Sequence, residues 1–213
     1  MSKGNTTKFF GTTFKAVTGY AAGVAITGIT NASPAVVTSV AHGLVDNDIV
    51  KIAAVVGLTD LNGKNYVVNM LTADTFQLLG TDTTNADAYT SGGTFAKATL
   101  SATCQMTGST HGSGSTSEIT TETNCGISKD FGAPDDGQAT FNFNYATGAF
   151  ITALESSRTN VSEIAVVTTL PASAGIMVDI GVVVSVSRDG SAGGVWTGSA
   201  TITRTQARLD IEV

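Results

Sequence analysis

The sequence predicts an all-β fold with one short helix, and three observations carry that expectation. Roughly one residue in six is threonine, alongside 24 glycines and only three prolines, a composition that favours pleated strands and turns over helices. Apolar runs are short and punctuated by Asn, Asp and Gly, as strands bounded by turns require. A single stretch, Ala149 to Arg158, carries helical spacing.

Lys8 to Val17 reads as the first strand, running into a Gly/Ala-rich turn at Gly19 to Gly23. Four short strands follow: Ala35 to Val40, Ile49 to Val55, Tyr66 to Met70 and Thr75 to Leu79. Their separators are Asp46-Asn47-Asp48, Leu61-Asn62-Gly63-Lys64 and Thr72-Ala73-Asp74. Asn62-Gly63 is the strongest hairpin signal, since both residues tolerate positive φ. Lys97 to Thr107 and Gln138 to Tyr145 come next, and in the second Phe141, Phe143 and Tyr145 alternate with Asn142 and Asn144. That period of two sets aromatic groups on one face and amides on the other. The helix has Thr147 as candidate cap and Phe150, Ala153 and Leu154 on its inward face. Val161 to Leu170 and Ile176 to Arg188 are strands. In the latter Ile176, Val178, Ile180, Val182, Val184 and Val186 line one face over roughly 40 Å. Thr197 to Glu212 closes the fold as one strand, and Pro34, Pro134 and Pro171 fall between elements, as ladder bonding demands.

The chain of 213 residues carries 11 basic and 17 acidic groups for a net charge of −6, which argues against a basic nucleic-acid binder. Between Ile26 and Phe95 six aspartates (46, 48, 60, 74, 82 and 87) face Lys51 and Lys64, placing −4 of that charge in one segment. No apolar run approaches the ~20 residues of a membrane helix. The start, Met1 to Thr7, lacks the apolar core of a signal peptide. The chain is expected to stay in the cytosol, with Cys104 and Cys125 as free thiols.

Thr107 to Gly137 is small, polar and glycine-rich, and reads as a long loop that orders against a partner. Catalytic constellations are not indicated. His42 and His111 fall in different segments without a Cys/His cluster. Gly112-Ser113-Gly114-Ser115 lacks the Lys and helix of a phosphate loop and the spacing of a nucleophile elbow. Asp46-Asn47-Asp48 and Asp135-Asp136 lack the ligand count of a calcium loop, and Glu155 and Glu163 read as exposed charges. No enzyme activity, metal or cofactor is expected.

Two resemblances emerge from these residues. Ile26 to Phe95 resembles the FCCH-like β-barrel module, named for the first catalytic cysteine half-domain of ubiquitin-activating enzymes and recurrent in phage tail proteins. The matching residues are His42-Gly43-Leu44, Asp48, Val50, Ile52, Gly57, Leu61-Asn62-Gly63, Tyr66-Val67-Val68, Thr72 and Thr75-Phe76, with Asn47 where such modules often have Gly. No cysteine lies in this stretch, so the ubiquitin chemistry of the name does not carry over.

The rest, 1–25 and 96–213, resembles the tail tube (major tail) protein of long non-contractile-tailed bacteriophages. The resemblance rests on GTTFKAV, on SEITTETNCGISKDFGAPDDGQATFNFNY, on the single helix and on GSATITRTQARLDIEV. It implies a β-sandwich flanked by a helix, whose hexameric rings stack into the hollow tube that conducts DNA from capsid to host. The module would be an insertion on the tube exterior. Implied partners are further copies of the chain and the tape measure, tail terminator and distal tail proteins. DNA would transit without specific binding, the location would be the virion tail assembled in host cytoplasm, and no membrane is involved. A bore rich in cations would hold duplex DNA, which carries a charge every ~1.7 Å, and the acidic chain is compatible with a sliding surface.

Under this resemblance Glu118, Ile119, Glu122, Ile127, Lys129, Asp130, Phe131, Asp135 and Asp136 would form an inter-ring stacking loop. Phe141, Phe143, Tyr145, Asp179, Val183, Ser185, Arg204 and Arg208 would belong to an inter-subunit sheet. The competing classes are a surface- or carbohydrate-binding module, poorly supplied with aromatic platforms by Trp196 and four tyrosines, and the tube protein of a bacterial contractile injection or secretion apparatus.

Overall fold

The computed structural model describes residues 9–116, 118–123, 126–131 and 135–212, and for 118–123 and 126–131 the backbone alone. The opening residues 1–8, Cys125 and Pro134 lie outside the described residues. Sixteen strands and one α-helix make up the described chain, the all-β fold with a short helix that the composition predicts.

The strands are β1 (Thr13–Tyr20), β2 (Val24–Ala25), β3 (Gly28–Ile29), β4 (Ala35–Thr38), β5 (Ile49–Val56), β6 (Asn65–Thr72), β7 (Thr75–Leu79) and β8 (Ser91–Thr103). Then come β9 (Met106–His111), β10 (Glu118–Thr123), β11 (Gly126–Phe131) and β12 (Gln138–Asn144), followed by α1 (Ala149–Asn160). The chain ends with β13 (Ile164–Thr169), β14 (Ile176–Asp189), β15 (Thr197–Arg204) and β16 (Leu209–Ile211). Fourteen strands join in one sheet in the order β3-β4-β7-β6-β5-β8-β1-β13-β14-β15-β12-β9, with β2 on β8 and β16 on β14, while β10 and β11 pair only with each other.

Two hydrophobic cores sit along this sheet. One gathers Phe14, Phe141, Phe143, Phe150, Leu154, Val166, Ile180 and Ile202 from β1, β12–β15 and α1, and it also takes in Ile49 and Val67 from β5 and β6. The other holds Val37, Ile52, Leu61, Tyr66, Phe76, Leu78 and Phe95 from β4–β8. Strand β8 belongs to both halves. Its residues Ser91 to Lys97 pair with β5, and Ala98 to Thr103 pair with β1.

Several elements differ from expectation. The first strand starts at Thr13, after a turn in which Thr12 N–H donates to Phe9 O (3.0 Å) and Gly11 takes φ +92°. It runs through Gly19 because a bulge between Val17 and Gly19 absorbs the irregularity. Asn62-Gly63 is not a tight hairpin: only Gly63 has positive φ, and Asn62 instead uses its amide to bond both Val55 N–H (2.8 Å) and Val55 O (2.9 Å). The two-residue connection lies at Ala73-Asp74, where Thr72 pairs with Thr75. Asn47, the residue in place of Gly, adopts φ +68°, a conformation Asn tolerates better than most residues.

The polar stretch 107–137 is not a structureless loop. Its first residues continue β9 against β12, and β10 (118–123) pairs antiparallel with β11 (126–131) as a hairpin. The Lys97 to Thr107 strand breaks at Cys104-Gln105 into β8 and β9. The valine face of β14 does not persist, because a bulge between Val183 and Ser185 shifts the phase and turns Val184 outward. The final strand likewise breaks after Arg204, and Leu209–Ile211 returns to pair with the start of β14.

Helix α1 buries Phe150, Ile151, Leu154 and Ser157. The expected Thr147 cap is replaced by Gly148, which occupies the N-cap in extended backbone without a side-chain bond. The helix ends at Val161 in the left-handed region (φ 49°, ψ 44°), a β-branched residue that is 76% exposed. Such a residue costs about 1–2 kcal/mol there. Because little packing is lost, Val161→Gly is expected to raise stability by about 1 kcal/mol in urea unfolding, and an unchanged or lower midpoint would contradict the strain.

Candidate functional site

Two polar nodes and the open sheet edges are the first features of this fold to weigh as functional. The first node joins the two cores. Asn65, wholly buried at the start of β6, donates its backbone N–H to Glu163 Oε2 (2.5 Å) and accepts from Tyr20 O–H at Oδ1 (2.6 Å). Its carbonyl accepts from Gln206 Nε2 (2.9 Å), and the other Glu163 oxygen accepts from Thr205 Oγ1. Glu163 thus binds across the halves rather than standing as a free surface charge. Burial, with Glu163 as a lesser contributor, raises the Tyr20 phenol above its usual value despite the bond to Asn65, which pulls it down. Lys51 Nζ lies 5.4 Å from the Tyr20 ring centre.

The second node sits at the neck of the β10–β11 hairpin. Asp179, fully buried in β14, binds His111 Nδ1 at 2.7 Å through one oxygen and Arg204 Nε at 2.6 Å through the other. Arg204 Nη1 donates to the carbonyls of Gly112 and Asp136, which flank the hairpin on its two sides. The backbone ties the same neck through Gly112 N–H to Gln138 O (2.9 Å) and Arg204 N–H to Gly137 O (3.1 Å). His111 Nε2 meets Ser109 Oγ at 3.1 Å, and the ring packs edge-on against Phe141. With Nδ1–H donating to Asp179, Nε2 accepts the Ser109 hydroxyl.

Ser109, His111 and Asp179 therefore stand in the connectivity of a nucleophile, base and orienting acid. Chemistry would also need a substrate space beside the hydroxyl and donors for an oxyanion. The clefts flanking the neck, about 440 and 400 Å³, are lined by Arg204, Ser113, Asp135 and Asp136 and by neither Ser109 nor His111. Arg204 already shares the Asp179 charge that would steady an imidazolium. The arrangement acts as a clamp. His42 is likewise structural, accepting Leu44 N–H at Nδ1 (3.0 Å) and donating from Nε2 to Thr72 O (2.9 Å).

Besides the short terminal strand β3, the sheet leaves two edges open. On its β13 side β14 is paired over Ile176 to Gly181, and Val183 N–H is then taken by Ser157 Oγ (3.3 Å) of the helix. From Val184 to Asp189 that side faces no strand of the chain among the described residues. The outer side of β9 terminates the sheet order.

Of the expected stacking residues, Glu118, Ile119 and Glu122 lie on β10, and Ile127, Lys129, Asp130 and Phe131 on β11, but their side chains fall outside the described residues. Asp135 and Asp136 are at the neck, where Asp135 Oδ1 accepts Gly137 N–H (2.8 Å). The expected inter-subunit set divides. Phe141, Phe143, Asp179, Val183 and Arg204 are buried within the chain itself, so their side chains are not presented to a neighbour. Tyr145 lies under the Arg188 guanidinium, 4.6 Å from its ring centre, and Arg208 binds Asp210 (2.7 Å). Ser185 is exposed on the open side of β14. Cys104 is exposed, as a free thiol.

Sequence reasoning missed the Asn65 and Asp179 nodes. Asp179 did carry a signal, since a carboxylate inside the apolar run Ile176 to Val184 demands a buried partner. Among the described residues no helix is long and apolar enough to cross a membrane, and no group of three or more candidate metal ligands occurs.

No curated protein matches the chain. Residues 32–98, about a third of the chain, match the family model of the ubiquitin-activating enzyme E1 FCCH domain, and the match stops where β8 passes from pairing with β5 to pairing with β1.

Proposed function

We propose that the chain is the tail tube subunit of a long-tailed bacteriophage, whose hexameric rings stack into a conduit for DNA. In this reading 1–25 and 96–213 form the tube domain, and 26–95 is an inserted FCCH-like module on the exterior. The observation that carries it is the overhang of β14: a 14-residue strand whose last six residues have no strand beside them on one side, where helix α1 reaches them through the Arg188–Glu155 pair. Open edges of this kind are completed by another chain or guarded against pairing. Here a bulge at Val184 and the charged pair Arg188-Asp189 guard the two ends of the overhang, while exposed Val184 with Ser185 and Ser187 leaves its middle uncharged. Among the described residues the β10–β11 hairpin pairs with no other strand, and in this reading it is the element that meets the adjacent ring.

Negative-stain microscopy of the concentrated full chain tests this. Rings and hollow tubes are expected from the native protein. Val184→Lys, which alters an exposed residue that the β14–β15 register skips, is expected to keep the far-ultraviolet spectrum and abolish ring closure. Persistent monomers of the native chain across salt and temperature, or normal tubes from Val184→Lys, would overturn the reading.

A further inference from the structure

In the FCCH-like half, loop 39–48 bonds to the β6–β7 turn. Ser39 N–H donates to Asp74 O (2.9 Å), Ala41 N–H to Asp74 Oδ1 (2.7 Å), and Met70 N–H to Asp46 Oδ1 (2.7 Å). These bonds bring the segments that carry four exposed apolar residues to one tip: Val40, Val45, Met70 and Leu71, exposed by 71, 56, 43 and 46%. Isolated exposed aliphatics are ordinary, but a cluster rimmed by charge marks an interaction surface.

The two segments carry acidic charge alone, and one cation reaches them from β8. Segments 39–48 and 70–75 contain Asp46, Asp48 and Asp74 and neither lysine nor arginine. Asp48 is neutralised by Lys97 Nζ (2.7 Å), whereas Asp46 and Asp74 form no ion pair among the described residues. Each of these two uses one oxygen to hold the loop.

We propose that this tip is a docking surface for a cationic amphipathic segment of another protein, whose apolar side chains cover Met70 and Leu71 while its lysines or arginines meet Asp46 and Asp74. Charge complementarity selects that occupant. A second copy would bring the same two carboxylates to the same tip, and anionic lipid or nucleic acid would be repelled by it. The site is independent of ring formation.

The test uses the full chain and two labelled probes, a peptide alternating leucine with lysine and its leucine–glutamate counterpart, read by fluorescence anisotropy. The lysine peptide is expected to bind, more weakly as salt rises, and the glutamate peptide not to bind. Met70→Ser with Leu71→Ser should weaken binding by about tenfold or more, equivalent to ~1.4 kcal/mol. Asp46→Asn with Asp74→Asn retains the oxygens that accept the loop amides, and should weaken binding severalfold and flatten its salt dependence. Equal binding by both peptides, lysine-peptide binding unchanged in both double variants, stronger attachment to phosphatidylglycerol vesicles than to the peptide, or dimerisation abolished by the Met70/Leu71 change would each overturn the proposal. Because the Asp→Asn pair leaves the backbone bonds in place, it keeps the test decisive if the serine pair unfolds.

Discussion

Removing residues 26–95 and joining the ends is expected to give a chain that does not fold, rather than a trimmed but functional tube domain. Three losses fall on the remaining core at once. Ile49 and Val67, both buried in it, disappear, and vacating aliphatic sites of this kind costs about 2–4 kcal/mol each. Glu163, Tyr20 and Gln206 lose Asn65, their common partner, at about 1–3 kcal/mol for the polar groups left without bonds. The deletion also takes Ser91 to Phe95 of β8 together with β5, so the part of β8 that pairs β1 is no longer continued by a supported strand. Together these losses rival the ~5–15 kcal/mol that holds a typical domain together. Size-exclusion chromatography and urea unfolding of the deletion beside the full chain measure it. A cooperative transition near the native midpoint would show that the two cores are energetically separate. The milder variant Val67→Ala tests the same coupling, since it should destabilise the whole chain in one transition by about 2 kcal/mol or more.

What could be read in advance follows from how local each determinant is. Strand β7 occupies Thr75–Leu79 as the pattern predicts, because Phe76 and Leu78 alternate with Thr75 and Gln77 between two turn signals. The β12 alternation of Ala139, Phe141 and Phe143 reads equally well. Strand β9 could not be read, since Thr107-Gly108-Ser109-Thr110 offers no apolar alternation, and its extended form is imposed by pairing with β12. The same holds for the bulge at Val184, which depends on where β15 lies. The nodes were hidden for a different reason. His111, Asp179 and Arg204, like Asn65 and Glu163, are distant in sequence and meet only once the sheet order is fixed. The residues that stood out as candidates for contact between subunits, such as Phe141 and Phe143, stood out because they are large and apolar, and that property sent them into the chain's own core.

Breaking the Asp179 node from one side is expected to cost about 3–5 kcal/mol, the range for stranding a buried charge. Arg204→Met leaves the Asp179 carboxylate, with no exposed surface, facing His111 alone, and strips the carbonyls of Gly112 and Asp136 of their shared donor. Asp179→Leu leaves the Arg204 guanidinium, whose side chain is 1% exposed, without a counter-charge. Removing both partners avoids the stranded charge, so the double variant should lose less than the two single losses added together. A urea-unfolding cycle over the three variants gives the coupling directly. Single variants within 1 kcal/mol of the native chain would mean that water already reaches the pair. Amide exchange adds a local reading, because Arg204 holds both flanks of the hairpin. In Arg204→Met the Gly112 and Gly137 amides should exchange faster while those of β6 and β7, on the far core, keep their relative protection. The bonds to both flanks of the hairpin then depend on one buried carboxylate, which holds the guanidinium that makes them.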